Sequence, residues 1–224
     1  EQRLYSVPNF RAKINVLEHL IQQPEFEKTL VFARSRETAE NIYKFLSRKV
    51  VGEENVKVIH ANKGQNTRLN AMDAFRSGEV KILVATDVAS RGIDVTAVTH
   101  VVNFDVPLIY EDYVHRIGRT GRANLTGEAI TFMTMADEWH IRKIEEIIRM
   151  EIPRAEIPEG VEIPATPKEE LINMLREIDN QKRKDNPEFK GAFHEKKKHS
   201  FSTQKGRPGS GGKGGATNKK RPSS

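Results

Sequence analysis

The sequence predicts an α/β fold in which a parallel sheet is covered by helices on both sides. Short apolar runs rich in branched and aromatic residues alternate, over residues 1–150, with longer stretches whose apolar residues recur at helical spacing. Strands that alternate with helices in this way are typical of a three-layer domain, because each helix returns the chain to the same edge of the sheet. Ligands of such sheets bind at the carboxyl ends of the strands.

The strands are predicted where apolar runs are bounded by polar or turn residues. These runs are Thr29–Ala33, Val56–His60, Lys81–Thr86, His100–Phe104 and Gly127–Thr134. The segment Glu1–Pro8 precedes the first helix. Its apolar residues show neither helical nor strand spacing, so it is predicted to be irregular.

The helices are predicted from apolar residues three and four positions apart. They are Phe10–Gln23, Arg36–Lys49, Gln65–Arg76, Ile109–His115 and Asp137–Met150. Pro24 ends the first helix and Gly78 ends the third. In the third helix we expect Leu69, Met72 and Phe75 to face the sheet.

The pattern changes after Met150. Four prolines make residues 151–167 an extended connector, and Lys168–Asp179 is a short amphipathic helix that could dock on the domain or on a partner. Residues 181–224 are rich in Lys, Gly, Ser and Pro and are predicted to be disordered. We therefore expect a folded domain at 1–150, a connector with a helix at 151–180, and a basic tail at 181–224.

The positive charge of the chain is concentrated in this tail. Residues 181–224 hold 13 Lys and Arg against 3 Asp and Glu, whereas the rest of the chain holds 24 against 28. A nucleic-acid attraction over the whole folded surface is therefore not expected, while the tail could attract any polyanion or serve only as a solubilising segment.

Cysteine is absent from the sequence, which excludes disulfides, cysteine zinc sites and thiol catalysis and fits a reducing compartment. No apolar run approaches the ~20 residues that a membrane span needs, and no signal-peptide pattern begins the chain. We expect a soluble cytoplasmic protein without a membrane partner.

The octapeptide His115–Arg122, with the sequence HRIGRTGR, places three arginines within eight residues. Guanidinium groups stay charged and present a planar fork of donors, which suits binding to phosphate or carboxylate oxygens. A solvated basic loop is the simpler interpretation of such a segment, and Arg116 could equally brace the loop through a salt bridge.

This octapeptide resembles motif VI of the DEAD-box RNA helicases. Residues 85–94, ATDVASRGID, resemble motif V of that family, residues 30–35, LVFARS, resemble motif IV, and Gln65-x-x-Arg68 resembles motif IVa. The four motifs occur in the family's order, which implies a second RecA-like domain. His115, where related helicases usually have Gln, favours the DEAD-box group, and the basic Gly-rich tail resembles that of the bacterial RhlE-like subgroup.

The resemblance implies an ATP site shared with another domain. Arg119 and Arg122 would be arginine fingers that reach the γ-phosphate, and Gly92 and Asp94 would lie beside the nucleotide. His115 would couple the ATP and RNA sites through hydrogen bonds, although a buried core histidine is an alternative. ATP and Mg²⁺ would be held mainly by the N-terminal RecA-like domain, which would be the partner of this chain.

The resemblance also implies an RNA surface that contacts phosphates and sugars without sequence preference. Its residues would be Ser35, Lys63, Gln65, Arg68, Thr86 and Arg91. Asp87 is assigned an orienting role at most, because a carboxylate near an RNA backbone is repulsive unless it is paired. The stretch around Lys63 departs from the Gly-rich acidic form that is frequent in the family.

No phosphate loop of the form GxxxxGK[ST] and no Asp-Glu-Ala-Asp tetrapeptide occurs in the sequence. We therefore expect half of an ATP-dependent RNA helicase that neither binds ATP tightly nor unwinds RNA duplexes alone. A helicase-derived RNA-binding module without hydrolysis is the alternative. The C-terminal half of a DNA translocase is disfavoured by His115 and by Gln65-x-x-Arg68.

Overall fold

The computed structural model describes residues 1–90, 98–120 and 127–191. Within these ranges, seven strands form one sheet in the order β3-β4-β2-β5-β6-β1-β7, and every neighbouring pair is parallel. The strands are β1 Gln2–Ser6, β2 Thr29–Ala33, β3 Val56–Ile59, β4 Ile82–Thr86, β5 His100–Asn103, β6 Glu128–Met133 and β7 Arg154–Ala155. The predicted parallel α/β fold is confirmed.

The helices follow the predicted order. They are α1 Phe10–Ile21, α2 Arg36–Lys49, α3 Gln65–Ser77, α4 Asp87–Ser90, α5 Tyr110–Ile117, α6 Glu138–Ile148 and α7 Lys168–Asp185, with a 3-10 turn at Glu53–Asn55. These elements belong to one compact unit, Glu1–Phe193. Most of the predicted basic tail, residues 192–224, lies outside the described residues.

The helices cover the sheet on both faces. Val31 and Ala33 of β2 pack in one apolar cluster with α1 and α2, whereas Leu30 and Phe32 of the same strand pack in another cluster with α3. Because successive side chains of a strand point to opposite faces, the two clusters lie on opposite sides of the sheet. Leu4 of β1 packs with α5 and α6 in a third cluster, which completes the three layers.

The prediction that Glu1–Pro8 is irregular is wrong, because this segment contains β1. Leu4 lies opposite Thr131 of β6 and Arg154 of β7, and Leu4 and Tyr5 are buried. A five-residue strand gains its stability here from partners that are far away in sequence, so its own residues show little periodicity.

Two helix predictions also need correction. Leu69 was expected to face the sheet, yet its side chain is 43% exposed, whereas Met72 and Phe75 are buried. At 100° per residue, Leu69 lies about 120° around α3 from Phe75, outside the buried stripe. The helix expected to end at Asp179 continues to Asp185, because Gln181 is buried and Asp185 accepts a hydrogen bond from Trp139 Nε1 at 2.7 Å.

The connector that precedes α7 lies along α1. Asn9 Nδ2 donates to the carbonyl of Pro164 at 2.8 Å, and Asn15 Nδ2 donates to the carbonyl of Glu162 at 2.8 Å. Ile157 and Val161 pack against the apolar cluster of α1 and α2. The extended conformation predicted from the prolines is therefore held by contacts with the domain.

Among the helices that the structure describes, none is long and apolar enough to cross a membrane.

Candidate functional site

Arg116, the first arginine of the octapeptide, is buried at the end of α5. Its Nε and Nη2 donate to the two carboxylate oxygens of Asp87, both at 2.7 Å. Its Nη1 donates to Asn103 Oδ1 at 3.1 Å and to the carbonyl of Asp105 at 2.8 Å, and the guanidinium lies 5.0 Å from the ring centre of Phe32. The end of α5 is thus fixed against the carboxyl ends of β4, β5 and β2.

Asp87 is the partner that makes this burial tolerable. A buried guanidinium without a counter-charge is strongly unfavourable, whereas a bidentate carboxylate satisfies both charges and four hydrogen-bonding atoms. The orienting role expected for Asp87 agrees with this contact, which also removes the carboxylate as an unpaired negative charge. Asp87 begins α4 directly after β4.

A second group of charges surrounds Asp137 at the same edge of the sheet. Lys13 Nζ lies 3.2 Å from Asp105 Oδ1 and 3.9 Å from Asp137 Oδ2, and Arg34 Nη2 lies 3.1 Å from Asp137 Oδ1. Burial acts to raise the pKa of the Asp137 carboxyl, but Lys13 and the backbone N–H of Thr134 outweigh it and hold that pKa below its ordinary value. Asp137 is therefore charged at neutral pH.

Asp105 joins the two groups. Its backbone carbonyl accepts from Arg116, its Oδ1 accepts from Lys13, and its Oδ2 accepts from the backbone N–H of Arg34 at 2.9 Å. The carboxyl ends of β2 and β5 are held together through this residue, and the turn that leads from β2 into Ser35 is fixed by it.

His115 lies on the outer side of the last turn of α5. Its side chain is 72% exposed, with Nδ1 3.7 Å from Asp112 Oδ1. The alternative of a buried core histidine is therefore wrong, because the inner face of α5 is occupied by Tyr113 and Arg116.

Arg119 follows on the surface side of the same turn. It is partly exposed, and its Nε donates to the carbonyl of His115 at 3.3 Å. Thr120 Oγ1 donates to the carbonyl of Val98 at 2.8 Å, and these two residues form a parallel bridge. The described part of the octapeptide, which ends at Thr120, is therefore bound to the segment that precedes β5.

Four residues predicted for the site lie outside the described residues. They are Arg91, Gly92, Asp94 and Arg122. Thr86 of the same motif V is the last residue of β4 and is buried.

Ser35 and Lys63 follow the carboxyl ends of β2 and β3. Ser35 is exposed and caps α2, since its Oγ accepts from the backbone N–H of Thr38 at 3.0 Å. Lys63 Nζ lies 2.7 Å from Glu40 Oε1, which also contacts His60 Nε2 at 2.7 Å. Burial acts to raise the pKa of Glu40, but its hydrogen bonds with Lys63 and His60 hold that pKa below its ordinary value.

Gln65 and Arg68 lie on the first turn of α3. Arg68 Nη1 donates to Gln65 Oε1 at 3.3 Å, and Arg68 Nη2 donates to the carbonyl of Ala89 in α4 at 3.2 Å. The structure therefore brings motif IVa against the beginning of motif V. Arg68 Nε is buried without a hydrogen-bond partner among the described residues.

Four residues at this edge were missed by the sequence analysis as parts of the site. Lys13, Asn103, Asp105 and Asp137 are buried or nearly so and link β2, β5, α1 and α6. A signal was available for Asp105 and Asp137, because polar residues in the segments that follow parallel strands meet at one edge of the sheet. Asn103 carried no such signal, since it lies within a strand.

No group of three His, Cys, Asp or Glu side chains that could hold a metal ion occurs in the part of the chain that the structure describes. The carboxylates of the edge are instead occupied by Lys13, Arg34 and Arg116. These residues do not fit a magnesium site.

Comparison with known proteins identifies the family. The family described as helicase conserved C-terminal domain matches residues 12–124, half of the chain. The RNA helicase CrhR of Synechocystis sp. is 38% identical over 177 residues, which is 79% of this chain and 35% of that protein. The DEAD-box ATP-dependent RNA helicase CshA of Bacillus subtilis is 39% identical over 157 residues, which is 70% of this chain and 31% of that protein.

A solved structure agrees with these relatives. The E. coli DEAD-box protein SrmB, in a crystal structure bound to regulator of ribonuclease activity A, has a TM-score of 0.66 and 34% identity, covering 75% of this chain and 97% of that one. The chain spans about a third of the length of the curated relatives CrhR and CshA. These relatives do not single out the RhlE-like subgroup, which stays a prediction. The chain belongs to the helicase conserved C-terminal domain family, in the form found in the DEAD-box RNA helicases.

Proposed function

We propose that this chain is the C-terminal catalytic half of an ATP-dependent RNA helicase. Arg119 and Arg122 contact the γ-phosphate of an ATP held mainly by an N-terminal RecA-like domain. Gly92 and Asp94 lie beside the nucleotide, and His115 links the ATP and RNA contacts. Closure of the two domains on ATP and RNA then unwinds short duplexes locally.

The observation that carries the proposal is the burial of Arg116. Its contacts with Asp87, Asn103 and Asp105 hold motifs V and VI together at the carboxyl edge of the sheet. His115 and Arg119, on either side of Arg116 in the sequence, lie on the outward side of this segment. An arrangement in which one arginine anchors the segment and the next is presented at the surface suits binding to a ligand of another domain.

The proposed role of the two arginines is to stabilise negative charge. Hydrolysis of ATP spreads negative charge over the transferred phosphoryl group, and an arginine that meets this charge accelerates the reaction by about 10³ to 10⁵. Magnesium, bound with ATP by the N-terminal domain, would neutralise charge on the β- and γ-phosphates. The part contributed by this chain would be the guanidinium donors of Arg119 and Arg122.

The RNA contacts proposed are phosphate and sugar contacts. Ser35, Lys63, Gln65, Arg68, Thr86 and Arg91 supply hydroxyl, amide and cationic donors, which do not distinguish bases. Lys63 is already paired with Glu40, so an RNA phosphate would compete with that carboxylate. Binding should therefore be weak for one domain alone and strongly dependent on salt.

The proposal is tested by joining this chain to the N-terminal domain of a DEAD-box helicase and measuring RNA-stimulated ATP hydrolysis. The parent fusion is compared with Arg119→Ala and Arg122→Ala. Loss of either finger should lower the rate about a hundredfold or more. Arg142→Ala is the matched control, because Arg142 is an exposed α6 arginine whose contact is Glu138 of the same helix.

If the parent fusion hydrolyses ATP and both finger variants hydrolyse it as fast, the arginines are structural. If the fusion binds RNA and shows no stimulated hydrolysis, the chain is better described as an RNA-binding module derived from a helicase.

A further inference from the structure

A buried polar cluster joins α7 to α6 and to the beginning of α5. His140 of α6 is 5% exposed and Gln181 of α7 is 3% exposed. Gln181 Nε2 donates to the carbonyl of Ala136 at 2.9 Å and to Glu177 Oε1 at 3.3 Å, and it lies 3.2 Å from His140 Nε2. Tyr110 OH lies 3.1 Å from His140 Nδ1. Both ring nitrogens of His140 are therefore engaged.

We assign the proton of the imidazole from these contacts. Gln181 Nε2 must be the amide nitrogen, because the carbonyl of Ala136 needs a donor. An amide nitrogen only donates, so His140 Nε2 accepts and carries no proton. The remaining ring proton lies on Nδ1 and is donated to Tyr110 OH. A second proton on Nε2 would face the amide N–H of Gln181 and break this contact.

The charges around His140 come from each element packed against it. Arg34 after β2, Asp137 before α6, and Glu177 and Lys184 on α7 all act on the ring, with Glu177 Oε1 4.0 Å from Nε2. Burial is the largest effect and lowers the pKa of His140, and the two cations lower it further while the two carboxylates act to raise it. Burial also raises the pKa of Tyr110, which therefore stays neutral in this range.

Other residues of α7 also attach it to the domain. Glu170 Oε1 accepts from the backbone N–H of Phe10 at 2.7 Å near the start of the helix, and Asp185 Oδ2 accepts from Trp139 Nε1 near its end. Leu171 and Ile172 are exposed, and Met174 is buried. The cluster of His140 and Gln181 lies between these ends, in the same half of the helix as Asp179, which is 5% exposed.

We propose that α7 is a pH-sensitive element whose carboxyl-terminal half stays docked on α6 only while His140 is neutral. Protonation of Nε2 sets two N–H donors against each other and releases this half of the helix. The release frees its last turn, whose Lys182, Arg183 and Lys184 are already exposed in the docked state, to move away from α6. This conformational change is separate from the ATP and RNA contacts proposed above.

The direction follows from linkage between protonation and docking. The pKa of His140 is lowered in the docked state and returns towards its ordinary value of 6.5 in the undocked state. Docking is therefore complete above pH 6.5 and is lost as the pH falls through the lowered value. One proton changes the docking equilibrium by at most about tenfold per pH unit.

The chain offers a direct measurement of docking. Trp139 is the only tryptophan, and the chain has no cysteine, so Asn186→Cys introduces one labelling site at the exposed end of α7. A dansyl group at Cys accepts energy from Trp139, which contacts the neighbouring Asp185. Energy transfer should be high at neutral pH and should fall with a midpoint below pH 6.5, while far-ultraviolet circular dichroism shows that the domain stays folded.

Two variants decide whether His140 is responsible. In His140→Gln the energy transfer should not change between about pH 7.5 and 5. In Gln181→Glu the new carboxylate accepts from protonated Nε2, so the loss of energy transfer on acidification should disappear or reverse. Unchanged pH dependence in His140→Gln would assign the effect to another group, such as the buried His100, and overturn the proposal. Constant energy transfer in the parent across the titration of His140, followed by proton NMR of its ring, would also overturn it.

Discussion

Arg116 and Gln181 each attach a distant segment to the body of the domain, but they do so with different chemistry. Arg116 uses a buried charge, with four partner residues on β2, β5, the turn after β5, and α4. Gln181 uses a neutral amide that bonds to a carbonyl and a neutral ring. A buried charge deprived of its partner is costly, whereas a lost neutral hydrogen bond costs about 1 kcal/mol. We therefore expect the carboxyl edge to be held more firmly than α7.

Arg116→Met should have the largest effect on stability. It leaves Asp87 without its bidentate partner and Asn103 with an unsatisfied buried oxygen, so the free energy of unfolding should fall by about 3 to 5 kcal/mol. Urea denaturation followed by circular dichroism measures this. Arg142→Met, which changes an exposed arginine, should stay within about 0.5 kcal/mol of the parent. If the free energy of unfolding fell by less than about 1 kcal/mol in Arg116→Met, the contacts of Arg116 would not be what stabilises this edge.

Lys13→Met tests whether paired charges also dominate the stability of the group around Asp137. Asp137 would lose its nearest compensating cation apart from Arg34, and the free energy of unfolding at pH 7 should fall by about 3 kcal/mol. Because Lys13 helps to hold the pKa of Asp137 down, the carboxyl of the variant takes up a proton at higher pH than the parent does. The difference between the two proteins should therefore narrow as the pH falls towards 4. A difference that stays constant or widens would contradict this account.

Asn9→Ala addresses the connector, where the contacts are neutral. Asn9 caps α1 by accepting from the backbone N–H of Ala12 and also donates to the carbonyl of Pro164. The free energy of unfolding should therefore fall by about 2 kcal/mol. Ser35→Ala removes the cap of α2 without a connector contact and should cost about 1 kcal/mol. Hydrogen exchange of residues 157–166 should increase only in Asn9→Ala. Equal losses in both variants would show that the connector adds no stability.

Trp139→Phe should have the smallest effect. It removes the hydrogen bond to Asp185 while keeping an aromatic ring beside His140, so the free energy of unfolding should change by about 0.5 to 1 kcal/mol. Thermal unfolding followed by circular dichroism measures it. A loss above about 2 kcal/mol would mean that α7 is as firmly attached as the carboxyl edge.

Local pattern accounts for most of the fold. The bounds of α2 were predicted correctly, and the predicted strands agree with β2 to β6 within one residue at each end. β1 and β7 were not predicted, because Gln2–Ser6 and Arg154–Ala155 become strands only by pairing with each other and with β6. Short strands of this kind depend on neighbours rather than on their own propensity.

The candidate site was likewise predictable where it depends on local motifs and not where it depends on distant partners. The octapeptide and the Gln65-x-x-Arg68 motif were recognisable from their residues, and with them the candidate phosphate and RNA contacts. The role of Arg116 was left open between a ligand contact and a salt bridge, because the choice depends on Asp87 and Asn103, which lie 29 and 13 positions away. No spacing within one segment carries that information.

The sequence by itself determined the parallel α/β fold, the order of its elements and the family motifs at the carboxyl edge, because apolar periodicity and short motifs are local properties. Only the tertiary structure decided which arginine is buried, which is presented, and that α7 and the connector pack on α1 and α6. Those outcomes depend on which polar groups meet after folding. In a dry interior each charge needs a partner, and the partners come from distant parts of the chain.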